Sequence, residues 1–196
     1  MKMPKLTYYK VPLLMPVLGF VAQSIAFLLG WKLIGDMKRY QKCVLIGAPH
    51  TSNWDYMIFL WGILGLRLRV NVLAKDSLFF WPVGYFFRFF GGVPVDRTKR
   101  TSAVEQGIEF LKQADRTVLL IAPEGTRSYN ENWKSGFYHM AHGAGVPLVL
   151  AKLDCVNKRI YIGDEFEMSG DYEADIIRLK DYFKGATGFN PDNQDV

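Results

Sequence analysis

His50-Thr51-Ser52-Asn53-Trp54-Asp55 sets an imidazole and a carboxylate five positions apart, and further along the chain reads Pro123-Glu124-Gly125-Thr126-Arg127-Ser128. A histidine oriented by a carboxylate can take a proton from a hydroxyl group. A glycine-bearing loop that carries an arginine can hold a phosphate through paired N–H donors. Together the two blocks point to a transferase acting on a phosphorylated alcohol.

The surrounding sequence says how these residues are positioned. His50 follows a β-branched run at 43–47 and precedes a helix whose expected N-cap is Ser52, which puts Asp55 in the first turn. From there the carboxylate can reach back to the imidazole, fix its tautomer and stabilise the imidazolium that forms. The same position equally suits a capping box with Ser52, and the spacing alone does not separate the two roles. The second block follows the apolar run 117–122, at the carboxyl edge where α/β sheets build their sites. Gly125 permits a tight turn. Arg127 can fork onto phosphate oxygens, with the Thr126 and Ser128 hydroxyls as further donors, and Glu124 is expected to hold the arginine or the loop. As a surface turn with an incidental Glu–Arg pair, the block would carry no chemistry.

Gly91-Gly92-Val93-Pro94-Val95-Asp96-Arg97 again places an arginine after a short strand, and Arg97 is the candidate for the second half of a phosphate clamp. A solvated charge run at a helix start is the alternative reading. Gly145-Val146-Pro147-Leu148-Val149-Leu150 is a turn into a buried strand. His139 and His142 have no third ligand at usable spacing, so they read as ordinary helix residues and no metal site is expected.

Alternation of short β-branched runs (43–47, 70–74, 92–95, 117–122, 147–153, 159–162) with helical stretches (53–64, 81–90, 100–114, 135–144, 172–183) predicts a single-domain α/β fold, a mixed sheet flanked by helices, over residues 41–184. A chain of 196 residues can bury such a core without disulfides or metals. Residues 185–196, rich in Gly, Asn and Asp, are expected to fray. Cys43 and Cys155 lack paired spacing and read as reduced residues of a cytosol-facing protein.

Residues 1–40 form an N-terminal apolar segment. The run 11–31 has about the ~20 residues that a spanning helix needs. However, Pro12, Pro16 and Gly19 weaken it, Gln23 and Ser24 interrupt it, and lysines flank both ends. A helix lying in the bilayer interface, or a short pair dipping into one leaflet, is the favoured reading, ahead of a true span or a helix packed on the protein's own core. Further apolar runs at 56–61 and 78–90 can line an acyl-chain groove, touch the bilayer or fill the core. With 24 Lys plus Arg against 19 Asp plus Glu and a net charge of +5, anionic lipid is a natural partner. Nucleic acid is not expected, because no zinc-finger spacing, RNP-like strand or dense basic run occurs.

His50 with Asp55, residues 92–97, residues 123–128 and Val146-Pro147, in that order and at those intervals, resemble the four blocks of the glycerolipid acyltransferases, the 1-acyl-sn-glycerol-3-phosphate acyltransferases and their relatives. The resemblance runs from about Lys42 to Leu153. Lys75 with the aromatic run before Pro82, and Trp133-Lys134-Ser135-Gly136, are similar to further stretches of that family. It implies direct acyl transfer without an acyl-enzyme: His50, oriented by Asp55, deprotonates the hydroxyl of a lysophospholipid, which attacks the thioester of acyl carrier protein or acyl coenzyme A. Arg97, Glu124, Gly125 and Arg127 match positions associated with the acceptor's phosphate. No metal or redox cofactor is implied. The implied setting is a membrane-associated protein whose active site faces the cytoplasm. The fourth block departs from the family pattern at Leu150, where a second proline is usual, which leaves open another acceptor such as a lyso-ornithine lipid. A lipid-binding module without turnover is the alternative of a different class.

Overall fold

The computed structural model describes residues 7–95 and 100–196 and, within them, all side chains but those of Tyr56, Lys75, Arg100, Thr101 and Ser102. Among the described residues seven strands form one sheet in the order β1-β7-β6-β2-β5-β3-β4. They are β1 (Lys32–Gly35), β2 (Lys42–Ala48), β3 (Val70–Lys75), β4 (Gly92–Val95), β5 (Thr117–Ile121), β6 (Leu148–Asp154) and β7 (Arg159–Phe166). All pairings are parallel except the β6–β7 hairpin, so the sheet is mixed. Among the described residues six α-helices accompany them: α1 (Leu14–Leu29), α2 (Asn53–Gly65), α3 (Val83–Phe89), α4 (Arg100–Gln113), α5 (Gly136–Ala144) and α6 (Tyr172–Phe183). Every strand and helix expected from the sequence is present.

The period of two along the central strands divides the interior into two layers. Val44 and Ile46 of β2, Leu119 of β5, and Leu148 and Leu150 of β6 point to one side, where Phe110, Phe137, Leu179 and Phe183 of α4, α5 and α6 cover them. Cys43 and Leu45, Val118 and Leu120, and Val149 and Leu153 point to the other, against Phe59 and Ile63 of α2. Both faces of β2, β5 and β6 are therefore buried, which is why these runs are continuously apolar rather than alternating. Leu150 is a core residue, 2% exposed and paired with Ile46. The departure at this position is thus a packing choice inside the sheet.

α1 has 16 residues, about 24 Å of helix. Among the described residues no helix is long and apolar enough to cross a membrane. The small residues of α1 face inward: Ala22 and Ala26 are buried, and a Cβ on Gly19 would lie 2.8 Å from the Leu64 carbonyl oxygen. Gln23 donates from Nε2 to the Gly65 carbonyl at 2.8 Å, and the Trp61 indole N–H donates to the Ala22 carbonyl. Gln23, which interrupts the apolar run in sequence, thus ties α1 to α2. The large apolar side chains face outward, with Phe20 at 71%, Phe27 at 83% and Leu28 at 81% exposure. On the stretch around α3, Trp81, Tyr85 and Phe86 are also exposed.

Two boundaries differ from expectation. Residues 32–35, assigned from sequence to the N-terminal segment, form β1 and pair with β7. Residues 185–196 fold back on the domain instead of fraying. Thr187 bridges to Asp154, the Trp133 indole donates to Asp195 at 3.1 Å, and Lys180 pairs with Asp195 at 2.7 Å.

Candidate active site

β2 and β5 are neighbours in register, with Ile46 opposite Ile121. The chain leaving the carboxyl end of β2 at Ala48 reaches His50 two residues later, and the chain leaving β5 at Ile121 reaches Glu124 three residues later. Parallel pairing therefore sets the two blocks side by side. The His50 backbone N–H donates to Glu124 Oε1 at 2.9 Å.

Asp55 is fully buried at the start of α2. Its Oδ2 accepts from the Thr51 N–H at 2.5 Å, the Thr51 hydroxyl at 2.9 Å and the Ser52 N–H at 2.6 Å. Ser52 in turn accepts from the Trp54 N–H at 3.0 Å, completing a capping box. Oδ1 accepts from the Phe189 N–H at 2.8 Å. Among the described residues, none of the donors to Asp55 is the His50 ring. The carboxylate therefore braces the turn that carries His50 and acts on the imidazole through its charge.

The C-terminal segment is part of this construction. Beside the Phe189 bond, the Asn190 N–H donates to the Thr51 hydroxyl at 3.0 Å. Gly188 lets the backbone approach that closely, because a Cβ there would lie 2.5 Å from Thr51 Oγ1. The Phe189 ring sits 6.2 Å from that of Trp54.

The loop after β5 is held by its backbone. Gly125 takes φ 69°, a left-handed conformation that favours glycine, and its N–H donates to the Ala122 carbonyl. The Asn130 amide donates to the Glu124 carbonyl at 2.8 Å, and the Lys134 N–H to the Pro123 carbonyl at 2.8 Å. The Ser128 N–H donates to the Thr126 hydroxyl at 3.3 Å. Gly125, Thr126, Arg127 and Ser128 are all exposed. Arg127 donates from Nη1 to Asn53 Oδ1 at 2.5 Å, which links the loop to the first residue of α2. Arg97 lies outside the described residues.

Electrostatics differ between the two blocks. His50 is half-buried, and burial together with the Arg127 charge lowers its pKa, while Asp55 opposes the shift. The net effect favours the neutral imidazole, the form able to accept a proton. Glu124 is 5% exposed, with Oε1 on His50 and Oε2 without a hydrogen-bond partner among the described residues. Burial, with Asp195 and Asp55 nearby, pushes its carboxyl up to about 7, against the backbone N–H groups of Glu124 and His50.

The structure thus gathers His50, Asp55, Glu124 and Arg127 at one end of β2 and β5. Sequence reading missed Asn53, Thr51 and the 187–190 backbone. Asn53 lay inside the first block at a helix start, a signal that was available; the backbone donors of the tail leave no trace in side-chain pattern. Among the described residues no three His, Cys, Asp or Glu side chains form a group that could hold a metal ion. His139 and His142 lie against Tyr172 and Tyr138 respectively.

Known proteins resemble the chain in sequence and in fold. The chain is 28% identical over 120 residues to the 1-acyl-sn-glycerol-3-phosphate acyltransferase of Haemophilus influenzae, covering 58% of this chain and 48% of that protein. It is 28% identical over 132 residues to the Escherichia coli 1-acyl-sn-glycerol-3-phosphate acyltransferase, covering 64% and 52%. The chain spans about half the length of the curated relatives it matches. The crystal structure of the 1-acyl-sn-glycerophosphate acyltransferase PlsC from Thermotoga maritima superposes with a TM-score of 0.62 at 20% identity, over 87% of this chain and 77% of that one. This likeness is one of fold. The family model described as Acyltransferase matches residues 32–150, from β1 into β6 and across all four blocks. The chain belongs to the acyltransferase family, among the glycerolipid acyltransferases that its motif blocks resemble.

Proposed function

We propose that the protein transfers a fatty acyl group from a thioester, on acyl carrier protein or coenzyme A, to the free hydroxyl of a lysophospholipid, 1-acyl-sn-glycerol-3-phosphate first among them. The observation that carries the reading is the neutral-biased imidazole of His50 beside the exposed, arginine-bearing loop of residues 125–128. His50 accepts the hydroxyl proton as the oxygen attacks the thioester carbonyl. The new C–O bond forms, the C–S bond breaks, and the imidazolium returns its proton to the leaving thiolate. Base assistance of this kind contributes ~10² to 10⁴ in rate, and positioning supplies more. Arg127 binds the acceptor's phosphate, with the Thr126 and Ser128 hydroxyls at the same rim. Arg97 is assigned the same task from the family resemblance. Asp55 keeps His50 in place and stabilises its charged form.

The setting we propose is a membrane surface, with the active site on its cytoplasmic side. The outward face of α1 and the aromatic side chains Trp81, Tyr85 and Phe86 expose large apolar side chains of the kind that soluble monomers rarely leave open in number. No cofactor is invoked.

The test is an acceptor panel. Purified protein on liposomes, given acyl carrier protein or coenzyme A thioesters, should acylate lysophosphatidic acid in preference to unphosphorylated acceptors such as a lyso-ornithine lipid. Preference for the unphosphorylated acceptors would overturn the substrate assignment. Absence of any thioester consumption would leave only lipid binding.

A further inference from the structure

A charged cavity lies at the opposite end of the sheet from His50. It has a volume of about 490 Å³ and opens where β2, β3 and β5 begin, bounded by α1 at Gln23. With β2 spanning residues 42–48, it is about 20 Å from the acyl-transfer site. Lys38, Arg67, Arg69 and Arg116 line it, and no carboxylate does. Among the described residues these four cationic groups make no ion pair and no side-chain hydrogen bond. Two carboxylates near Lys38 and Tyr40 have partners of their own: Asp36 accepts the Lys38 backbone N–H, and Glu165 accepts the Tyr40 hydroxyl. The adjacent Arg39 is also satisfied, donating to the Gly163 carbonyl.

Arg67 adds an independent observation. The N–H of Leu68 donates to the Ile63 carbonyl and that of Arg67 to the Leu64 carbonyl, the pattern that closes a helix through a left-handed residue. Arg67 is that residue, at φ 55°. Glycine is the usual occupant, because a Cβ is strained there. The chain places a long cation at a glycine position, beside two further arginines. Its stem passes α1, within 3.3 Å of where a Cβ on Gly19 would be.

We propose that this cavity is a binding site for a phosphate-bearing anion, held by Arg67, Arg69 and Arg116 with Lys38 at the rim. Guanidinium groups present paired N–H donors that match phosphate oxygens. Two sources share that chemistry, the headgroup of an anionic lipid and a free phosphorylated metabolite. The site is separate from the acyl-transfer chemistry and stands without it.

The test compares the Arg67→Gln/Arg69→Gln/Arg116→Gln protein with a control of equal charge change, Lys112→Gln/Arg159→Gln/Lys184→Gln. Binding of inorganic pyrophosphate is measured by calorimetry, and binding to phosphatidylcholine vesicles with and without phosphatidylglycerol by co-sedimentation. Loss of pyrophosphate affinity by about tenfold or more in the first variant only identifies a free-phosphate site. A similar selective loss of the phosphatidylglycerol-dependent binding identifies a lipid headgroup site. Equal losses in both variants, or no binding of either probe by the unsubstituted protein, overturn the proposal. Arg67→Gly guards against misfolding: it should raise thermal stability while weakening the same binding, and unchanged binding would remove Arg67 from the site.

Discussion

Glu124 accepts the backbone N–H of His50 at 2.9 Å, so the residue that opens the 124–128 loop also fixes the peptide that carries the proposed base. The two motif blocks thus meet through a side-chain carboxylate of one and a main-chain N–H of the other. Parallel pairing of β2 with β5 makes this possible.

The state of Glu124 gives a first prediction. Its carboxyl is raised to about 7 from an ordinary 4.5. Between those values the folded protein keeps a proton that the unfolded chain has released. Stability therefore falls as pH rises through that window, by about 3 kcal/mol in total. Glu124→Gln keeps an acceptor for the His50 N–H and removes the titration. Urea unfolding from about pH 5 to about pH 8 should show the variant gaining on the unsubstituted protein by an amount of that order. A difference that does not change with pH would contradict the raised value.

Asp55 and Ser52 separate capping from catalysis. Ser52→Ala removes only the cap on the Trp54 N–H and should cost about 1 kcal/mol, with turnover nearly unchanged. Asp55→Asn turns a donor group toward N–H groups that need acceptors, and should cost about 2–3 kcal/mol. Its turnover should fall roughly tenfold or more even at temperatures where both variants remain folded. Equal turnover in the two variants would reduce Asp55 to a helix cap.

The C-terminal segment should matter to the site. Gly188→Val drives a side chain into Thr51, displaces the backbone donors of Phe189 and Asn190, and should destabilise the protein by about 2–3 kcal/mol. Amide hydrogen exchange at Phe189 and Asn190 should accelerate. Unaltered exchange would mean that the segment docks by other contacts.

Arg127 should act on affinity. Arg127→Ala is expected to raise KM for phosphorylated acceptors about tenfold or more and to leave unphosphorylated ones little changed. Asn53→Ala, which only frees Arg127, should have a smaller effect in the same direction. A fall in kcat without a change in KM would place Arg127 elsewhere in the mechanism.

What the sequence disclosed follows from what kind of contact each element makes. β2, β5 and β6 are buried on both faces, so their apolar runs are plain, and α6 occupies the expected stretch 172–183. β1 was missed because Lys32-Leu33-Ile34-Gly35 is short, mostly exposed, and follows an apolar helix without a break in pattern. The tail was read as frayed because Gly, Asn and Asp predict weak burial, whereas it docks through backbone N–H groups and through Asp195. The pairing of Glu124 with a peptide rather than with Arg127 was hidden for the same reason. In α1, Gln23 breaks the apolar run in sequence and in the fold supplies one of the contacts that fasten the helix to α2.

The most direct measurement is acyl transfer by the His50→Ala protein, with thermal unfolding recorded on the same sample. The transfer rate should fall by about 10² to 10⁴ while the unfolding temperature stays close to that of the unsubstituted protein. Transfer at near the original rate by the folded variant would contradict His50 as the base.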